Sequence, residues 1–291
     1  MKNHEDRHPI FDQMEKLIKN RTGLIGLVII TVFVIAAVSA PWISPHNPLE
    51  NALYEQLKPP IWDEGGALKN VLGTDDLGRD IFSRLIWGAR VSLLVGVVSV
   101  GIGLFFGSLL GAVAGYYRGG LDNLIMRLMD IMLAFPSILL AIVVVAYLGP
   151  GLMNAMMAIG IISIPRFARI VRASVIEEYD KDYVLAAKSI GTRNFRIIFN
   201  AIFPNCLAPI IVQASLGFGA AILDAAGLSF LGLGAQPPIP EWGAMIAMGR
   251  GLVLRAWWVM TFPGIAIFLG VLGFNLLGDG LRDALDPRLR D

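Results

Sequence analysis

Few residues of this chain have the type and spacing that catalysis needs. Ser229, two residues after Gly227, is the best candidate for a nucleophile, and such a serine needs a base beside it. The histidines all lie near the N-terminus, at His4, His8 and His46. The H-E-x-x-H pattern is absent, and with Cys206 as the single cysteine neither an intrachain disulfide nor a Cys/His metal site is expected. A hydrolase is therefore disfavoured, and we predict no catalytic residue, no cofactor and no metal.

Ionisable residues at the edges of long apolar stretches are functional candidates, because charge is costly in lipid. Asp130 follows Arg127 at the start of one stretch, and we predict that the two pair one helical turn apart near the lipid headgroups. Asp224 lies at the end of another stretch. It could face a translocation path or cap the end of a helix, and the sequence leaves both alternatives open.

A polar segment of about residues 166–204 has the spacing of a helical hairpin. Gly191 follows a helix-compatible run and favours a sharp turn, and Pro204 lies thirteen residues further on, where a second helix leads into an apolar stretch. The residues that could receive a partner, either small or apolar, are Tyr183, Leu185, Ala186, Ala187 and Phe195. The alternative is an ordinary amphipathic surface helix.

A ladder of glycines recurs every four residues in one apolar stretch. Its members are Gly103, Gly107, Gly111 and Gly115. This spacing places all four on one face of a helix and permits close helix approach in lipid. We favour packing within this chain, and packing against a second membrane subunit is the alternative.

The elements that position these residues are set by an unusually apolar composition. Hydrophobic residues make up 55% of the chain, charged residues 16%, and the mean hydropathy is +0.65. A soluble domain is rarely so apolar, which indicates an integral membrane protein. The net charge of +1 offers no basic surface for nucleic acid.

Runs of about 20 apolar residues predict spanning helices. The run Ile131–Ile164 would be about 50 Å long as one helix, so we divide it at Gly149-Pro150-Gly151. The sequence then predicts an all-α polytopic membrane protein with six spans, which are Leu24–Ile43, Val91–Tyr117, Ile131–Leu148, a helix from Leu152, Ile197–Leu223 and Trp257–Leu277.

The distribution of Lys and Arg predicts the orientation of these spans. With the N-terminus inside, 17 of the 24 basic residues lie on the inner side and 7 on the outer side, so both termini are expected to be cytoplasmic. Residues 1–90 are expected to form an N-terminal part, in which Asp80–Trp87 lies along the outer surface. Residues 91–291 are expected to form the core with the other five spans.

The spacing from Ala186-Ala187-x-x-x-Gly191 to Pro204 resembles the EAA signature of binding-protein-dependent ABC importer permeases. In that family this loop forms the coupling helix that docks on the ATPase. Leu185 stands where Glu is usual and Ala201 where Ile is usual, but the small-small-Gly spacing is intact. The resemblance implies a type I ABC importer permease fold, with ATP hydrolysis on partner subunits. In agreement, the chain has no nucleotide loop of the form G-x-x-x-x-G-K-[ST].

Further segments resemble the second permease subunit of the peptide/nickel branch of this family, and they are Leu72–Asp80, Ser83–Leu85, Gly278–Asp283 and Leu285–Arg288. Three more are most similar to its dipeptide permeases, namely Phe203–Pro209, Gly234–Pro238 and Glu241–Gly243. The resemblance implies import of dipeptides or short oligopeptides across a bacterial inner membrane, with nickel, glutathione or haem as alternative cargoes.

The partners implied by this resemblance are a second homologous permease, two ABC ATPase subunits, an extracytoplasmic peptide-binding protein and the lipid bilayer. A self-sufficient secondary transporter is the alternative from a different class. Such transporters have repeated halves around buried coupling-ion sites. Six predicted spans, few intramembrane charges and no evident internal repeat argue against it.

Overall fold

A computed structural model describes residues 17–285 of the chain. His4, His8 and the end of the predicted motif at Arg288 lie outside this range. Within it the chain is helical and has no β-strand beyond a single bridge between Thr74 and Asp80. The helices are α1 (Arg21–Ile43), α2 (Ile81–Tyr117), α3 (Gly119–Ala134), α4 (Ser137–Leu148), α5 (Leu152–Tyr179), α6 (Asp182–Ser189), α7 (Asn194–Phe230), α8 (Trp242–Gly249) and α9 (Trp258–Leu285).

By length and composition, four helices in the described residues could cross a membrane, namely α1, α2, α7 and α9. Helices α3 and α4 could together form a fifth span, although they meet at an angle of 94°. Helix α5 does not reach the same apolar standard, and it carries Arg166 and Arg169 near its middle. The structure thus supports four or five spans, and the prediction of six is not confirmed.

The break between α4 and α5 lies where the glycines predicted it. Helix α4 ends at Leu148, α5 begins at Leu152, and Gly149 and Gly151 between them have φ of 91° and 147°. Residues with a side chain rarely adopt these positive φ values, whereas glycine adopts them readily.

The predicted single helix Ile131–Leu148 is wrong, because the chain bends at Pro136. Phe135 is extended, with φ of −90° and ψ of 138°, and α4 begins directly after the proline. Proline disfavours a helical conformation in the residue before it and cannot donate the backbone hydrogen bond that would continue the helix.

The predicted start of the second span at Val91 is also wrong. Helix α2 begins at Ile81, where the Asp80 side chain caps it by accepting a hydrogen bond from the Ser83 amide at 2.8 Å. The stretch expected to lie along the outer surface is therefore the first part of α2, with Ile81 and Ile86 buried. At 37 residues α2 is about 55 Å long and exceeds the apolar core of a bilayer.

The glycine ladder lies against α5 of the same chain. A Cβ added at Gly107 would stand 2.5 Å from the Phe167 Cβ and 2.7 Å from the Ile164 carbonyl, and one at Gly115 would stand 2.8 Å from the Arg172 carbonyl. Only glycine allows the two backbones to approach this closely.

The helices give the molecule two ends. We call one the loop end: it holds the segment 44–80, where α1 finishes and α2 and α9 begin. The other is the hairpin end, where α6 and the start of α7 meet the last turns of α2 and α5. After one short α-helical segment, Asn194–Arg196, helix α7 continues there as a π-helical stretch, Ile197–Ile202, and a 3₁₀ turn, Phe203–Cys206. It is α-helical again from Leu207. The predicted hairpin at Gly191 and Pro204 lies in this region.

Candidate functional site

Helix α6 is a short helix anchored by one fully buried side chain. Val184 has no exposed surface and belongs to the same buried cluster as Val175 of α5 and Ile202 of α7. Burying a valine side chain stabilises by roughly 1.5–3 kcal/mol. One face of α6 is thereby fixed to the helices behind it, and the opposite face is left outward.

Gly191 ends α6 in the geometry that glycine is needed for. Its φ is 75°, its amide donates to the Lys188 carbonyl at 3.0 Å, and the Thr192 amide donates to the Ala187 carbonyl at 3.1 Å. This pair of hydrogen bonds is the Schellman motif. A Cβ at Gly191 would meet no atom within 4 Å, so backbone conformation and not space requires the glycine.

Gly191→Val is expected to loosen the hairpin without a steric clash. A β-branched residue at positive φ costs on the order of 1–2 kcal/mol, and Asn tolerates that conformation better. Limited proteolysis of the detergent-solubilised protein should cut the hairpin faster in Gly191→Val than in Gly191→Asn. Equal cleavage of both variants and the unaltered protein would contradict the backbone explanation.

Polar contacts join α6 to the end of α5 and to α7. The Tyr183 hydroxyl donates to the Glu178 carboxylate at 2.6 Å and accepts from the Asn205 amide at 3.3 Å, and Lys181 also donates to Glu178. Burial, together with the hydrogen bond to Glu178, raises the pKa of Tyr183 to about 12. The phenol thus stays protonated and keeps donating throughout the physiological pH range.

A second set of contacts joins the hairpin end to α2. The Arg118 guanidinium donates to the Asp180 carboxylate at 3.0 Å and lies 4.2 Å from the Tyr179 ring centroid. The Tyr116 hydroxyl donates to the Asn194 side chain at 2.9 Å. These contacts between helices were not predicted, because each joins residues far apart in sequence.

The outward face of the hairpin carries apolar side chains, next to the exposed Arg193 and Arg196. Ile190 is 82% exposed, Phe195 72% and Leu185 48%, and Ala186 is exposed between them, whereas Ala187 is half-buried. Apolar side chains held outward on a braced base suit a contact with another protein. Ile190 was missed by the sequence analysis, although its position directly before the helix-ending glycine could have indicated it.

Pro204 lies in the 3₁₀ turn of α7, Phe203–Cys206.

Asp130 of α3 has a different partner from the predicted one. Its carboxylate accepts from Arg169 of α5 at 2.6 Å, so the predicted pairing with Arg127 is wrong. Asp130 and Arg127 share a helix, but Arg169 reaches the carboxylate across the packing of α3 on α5.

Asp224 lies in a narrow cleft between α2, α4, α5 and α7. Arg166, Gln213 and Ser163 also line it. The cavity volume is about 20 Å³, which is room for about one water molecule. Asp224 lies within α7, which ends at Phe230, so its side chain does not cap the end of that helix. The capping alternative is therefore wrong, and a place on a translocation path stays a prediction.

Ser229 has a structural position. Its hydroxyl is buried and accepts from the Ala235 amide at 3.1 Å, which fixes the turn that follows α7. Separately, Glu241 caps α8 by accepting from the amides of Gly243 and Ala244.

Ser229→Ala is expected to leave any transport activity per folded protein unchanged and to lower stability by about 1–2 kcal/mol, the cost of a lost buried hydrogen bond. Thermal unfolding and uptake assays measure the two effects. Complete loss of activity in a folded Ser229→Ala protein would revive the hydrolase hypothesis.

A buried charge network organises the loop end. Arg79 and Arg84 are 2% and 1% exposed, and the Arg79 guanidinium donates to the Asp75 carboxylate at 2.7 Å. Arg84 donates to the Pro48 carbonyl at 2.9 Å, and Trp258 of α9 donates to the Thr74 carbonyl at 3.0 Å. The predicted Leu72–Asp80 motif therefore joins the segment 44–80 to the helices.

Comparisons with known proteins agree with this architecture. Residues 107–291 match the family described as binding-protein-dependent transport system inner membrane components, and residues 9–60 match the N-terminal TM domain of oligopeptide transport permease C. The di/tripeptide transport system permease protein DppC of Pseudomonas aeruginosa is 52% identical over 97% of this chain and 93% of its own length. The dipeptide transport system permease protein DppC of Escherichia coli is 53% identical over 94% and 91%.

A solved structure shows the same fold. A chain of the MetNI methionine ABC transporter, in inward-facing conformations, aligns with a TM-score of 0.59 and 19% identity, covering 70% of this chain and 97% of that one. At that identity the likeness concerns the fold alone.

Proposed function

The chain belongs to the family of binding-protein-dependent transport system inner membrane components, and from that premise we propose that it is a permease subunit of an ATP-driven importer of dipeptides and short peptides. The observation that carries the cargo is the identity of about half to the dipeptide permeases over nearly the whole chain. The loop-end and hairpin-end motifs both fall within the matched length.

We further propose that the hairpin is the coupling element, with Tyr183, Leu185, Ala186, Ala187, Gly191 and Pro204 in its docking surface or its support. The exposed apolar face supports this role, as does the absence of a nucleotide loop from the sequence. ATP would then be bound and hydrolysed by two partner subunits on the side of the hairpin end. That side would be cytoplasmic, as the charge distribution also predicts.

The contacts behind the hairpin suggest how movement would pass into the membrane. A pull on α6 acts on α5 through Glu178 and on α2 through Arg118 and Asp180. Because the glycine ladder packs α2 tightly on α5, the two helices would move as one body. In this proposal ATP-driven closure of the ATPases rocks that body and switches the path from inward-facing to outward-facing.

The path itself requires a second permease. The cleft at Asp224 has room for about one water molecule, far less than a dipeptide needs. A peptide-sized passage would form between this chain and a homologous partner. A peptide-binding protein would deliver cargo at the loop end, which would face the extracytoplasmic side.

Uptake by the reconstituted complex tests the function. We expect labelled dipeptide to enter proteoliposomes only when both permeases, both ATPases, the binding protein and ATP are present. If nickel, glutathione or haem reduced the uptake of label and unlabelled dipeptides did not, the cargo assignment would be overturned. Uptake by this chain alone under an ion gradient would instead show a secondary transporter.

A further inference from the structure

The cleft at Asp224 contains one positive and one negative side chain. Asp224 comes from α7 and Arg166 from α5, and Ser99, Ser163 and Gln213 add polar groups around them. Arg166 lies near the middle of a helix that is 28 residues long, so it is about 20 Å from either end. Its side chain is exposed on the surface of this chain, whereas that of Asp224 is half-buried.

Neither side chain has a direct hydrogen-bond or ion-pair partner within the described residues, although Arg166 is close enough to attract the Asp224 carboxylate. The neighbouring arginines of α5 have partners, since Arg169 donates to Asp130 at 2.6 Å and Arg172 donates to Asp122 at 2.7 Å. Within residues 17–285, Arg166 and Asp224 form no hydrogen bond and no ion pair. Ionisable side chains that line a cleft between the helices of a membrane protein mark a path for a polar or charged cargo.

A free peptide carries the complementary charges. Its amino terminus is an ammonium, which a carboxylate binds, and its carboxyl terminus is a carboxylate, which a guanidinium binds with two parallel hydrogen bonds. Two extended residues span about 7 Å. Both ends of a dipeptide can therefore be bound by two side chains that line a single cleft.

We infer that Arg166 and Asp224 form a two-point site in the translocation path, at which Arg166 binds the carboxylate and Asp224 the ammonium of a passing peptide. This inference rests on the proposed function and gives it a specificity-determining pair. In the present conformation the cleft is too narrow for a peptide. It would widen when the body formed by α2 and α5 rocks relative to α4 and α7, which also line the cleft.

The test is uptake per ATP hydrolysed, measured on the complete complex in proteoliposomes with labelled dialanine as cargo. Arg166→Gln and Asp224→Asn remove charge and keep size. We expect each to lower uptake per ATP by about ten-fold, the effect of losing about 1.4 kcal/mol of binding. ATP hydrolysis stimulated by the loaded binding protein should persist, because neither residue touches the hairpin.

Two control variants separate recognition from general damage. Asp224→Glu keeps the charge and should restore most of the uptake lost in Asp224→Asn. Arg169→Gln makes the same change three residues further along α5, at an arginine paired with Asp130, and should leave uptake per ATP unchanged.

Normal uptake per ATP in both charge-removing variants would overturn the inference, and so would an equal loss in Arg169→Gln or a failure of Asp224→Glu to restore uptake. Failure of the unaltered complex to import any dipeptide would overturn the proposed function instead. The two failures are thus distinguishable.

Discussion

Ala186→Arg is expected to uncouple transport while the membrane fold stays intact. Ala186 is exposed on the outward face of α6, beside Leu185 and Ile190, so an arginine there meets no atom of this chain's core but fills the space that a partner would occupy. Loss of such a contact costs about 2 kcal/mol or more, which is about thirty-fold in affinity. Uptake by the reconstituted complex should fall at least about ten-fold.

Gly120→Arg is the matched control. Gly120 is exposed at the start of α3, at the same end of the molecule, and a Cβ there meets nothing within 4 Å. This variant should transport normally. Normal ATPase coupling and uptake in Ala186→Arg would refute the proposed role of the hairpin. Co-purification with the ATPases would show whether the variant loses docking or only the transmission of movement.

Gly107→Leu is expected to prevent stable folding of the helices. Its Cβ would lie 2.5 Å from the Cβ of Phe167, which is 1% exposed and cannot move aside. Overpacking of this kind typically costs about 1–3 kcal/mol, and more when two backbones must separate. We expect a loss of at least about 3 kcal/mol, with little folded protein after detergent extraction.

Gly101→Leu, on the same helix, is its counterpart. Gly101 is exposed, and a Cβ there meets nothing within 4 Å. Leucine is a better helix former than glycine by up to about 1 kcal/mol, so this variant should be as stable as the unaltered protein or slightly more stable. Thermal unfolding of the two variants measures the difference. Equal stability would contradict the close packing of α2 on α5.

Local backbone chemistry made some elements predictable from the sequence. The break at Gly149-Pro150-Gly151 and the turn at Gly191 depend on which residues tolerate positive φ, and that property travels with the residue type. The bend at Pro136 has an equally local cause. It was missed because the apolar run around it was read by length alone.

Contacts between helices could not be read in the same way. Asp130 has two basic neighbours, Arg127 one turn away on its own helix and Arg169 on α5. It pairs with Arg169 because α3 packs against α5, which the sequence does not show. The presence of Arg166 and Asp224 in one cleft likewise depends on the arrangement of four helices. The start of α2 was not missed for this reason, because Asp80 is a favoured N-cap residue and its hydrogen bond with the Ser83 amide is local.

The π-helical stretch Ile197–Ile202 has a consequence for the phase of α7. A π-turn accommodates about one residue more than an α-turn, and one residue of an α-helix corresponds to a rotation of about 100°. Compared with an uninterrupted α-helix, the extra residue rotates the hairpin before Ile197 by about 100° around the axis of α7. Deleting one residue within the stretch would turn the outward face of the hairpin about a quarter-turn away from its present direction, with every side chain of that face unchanged.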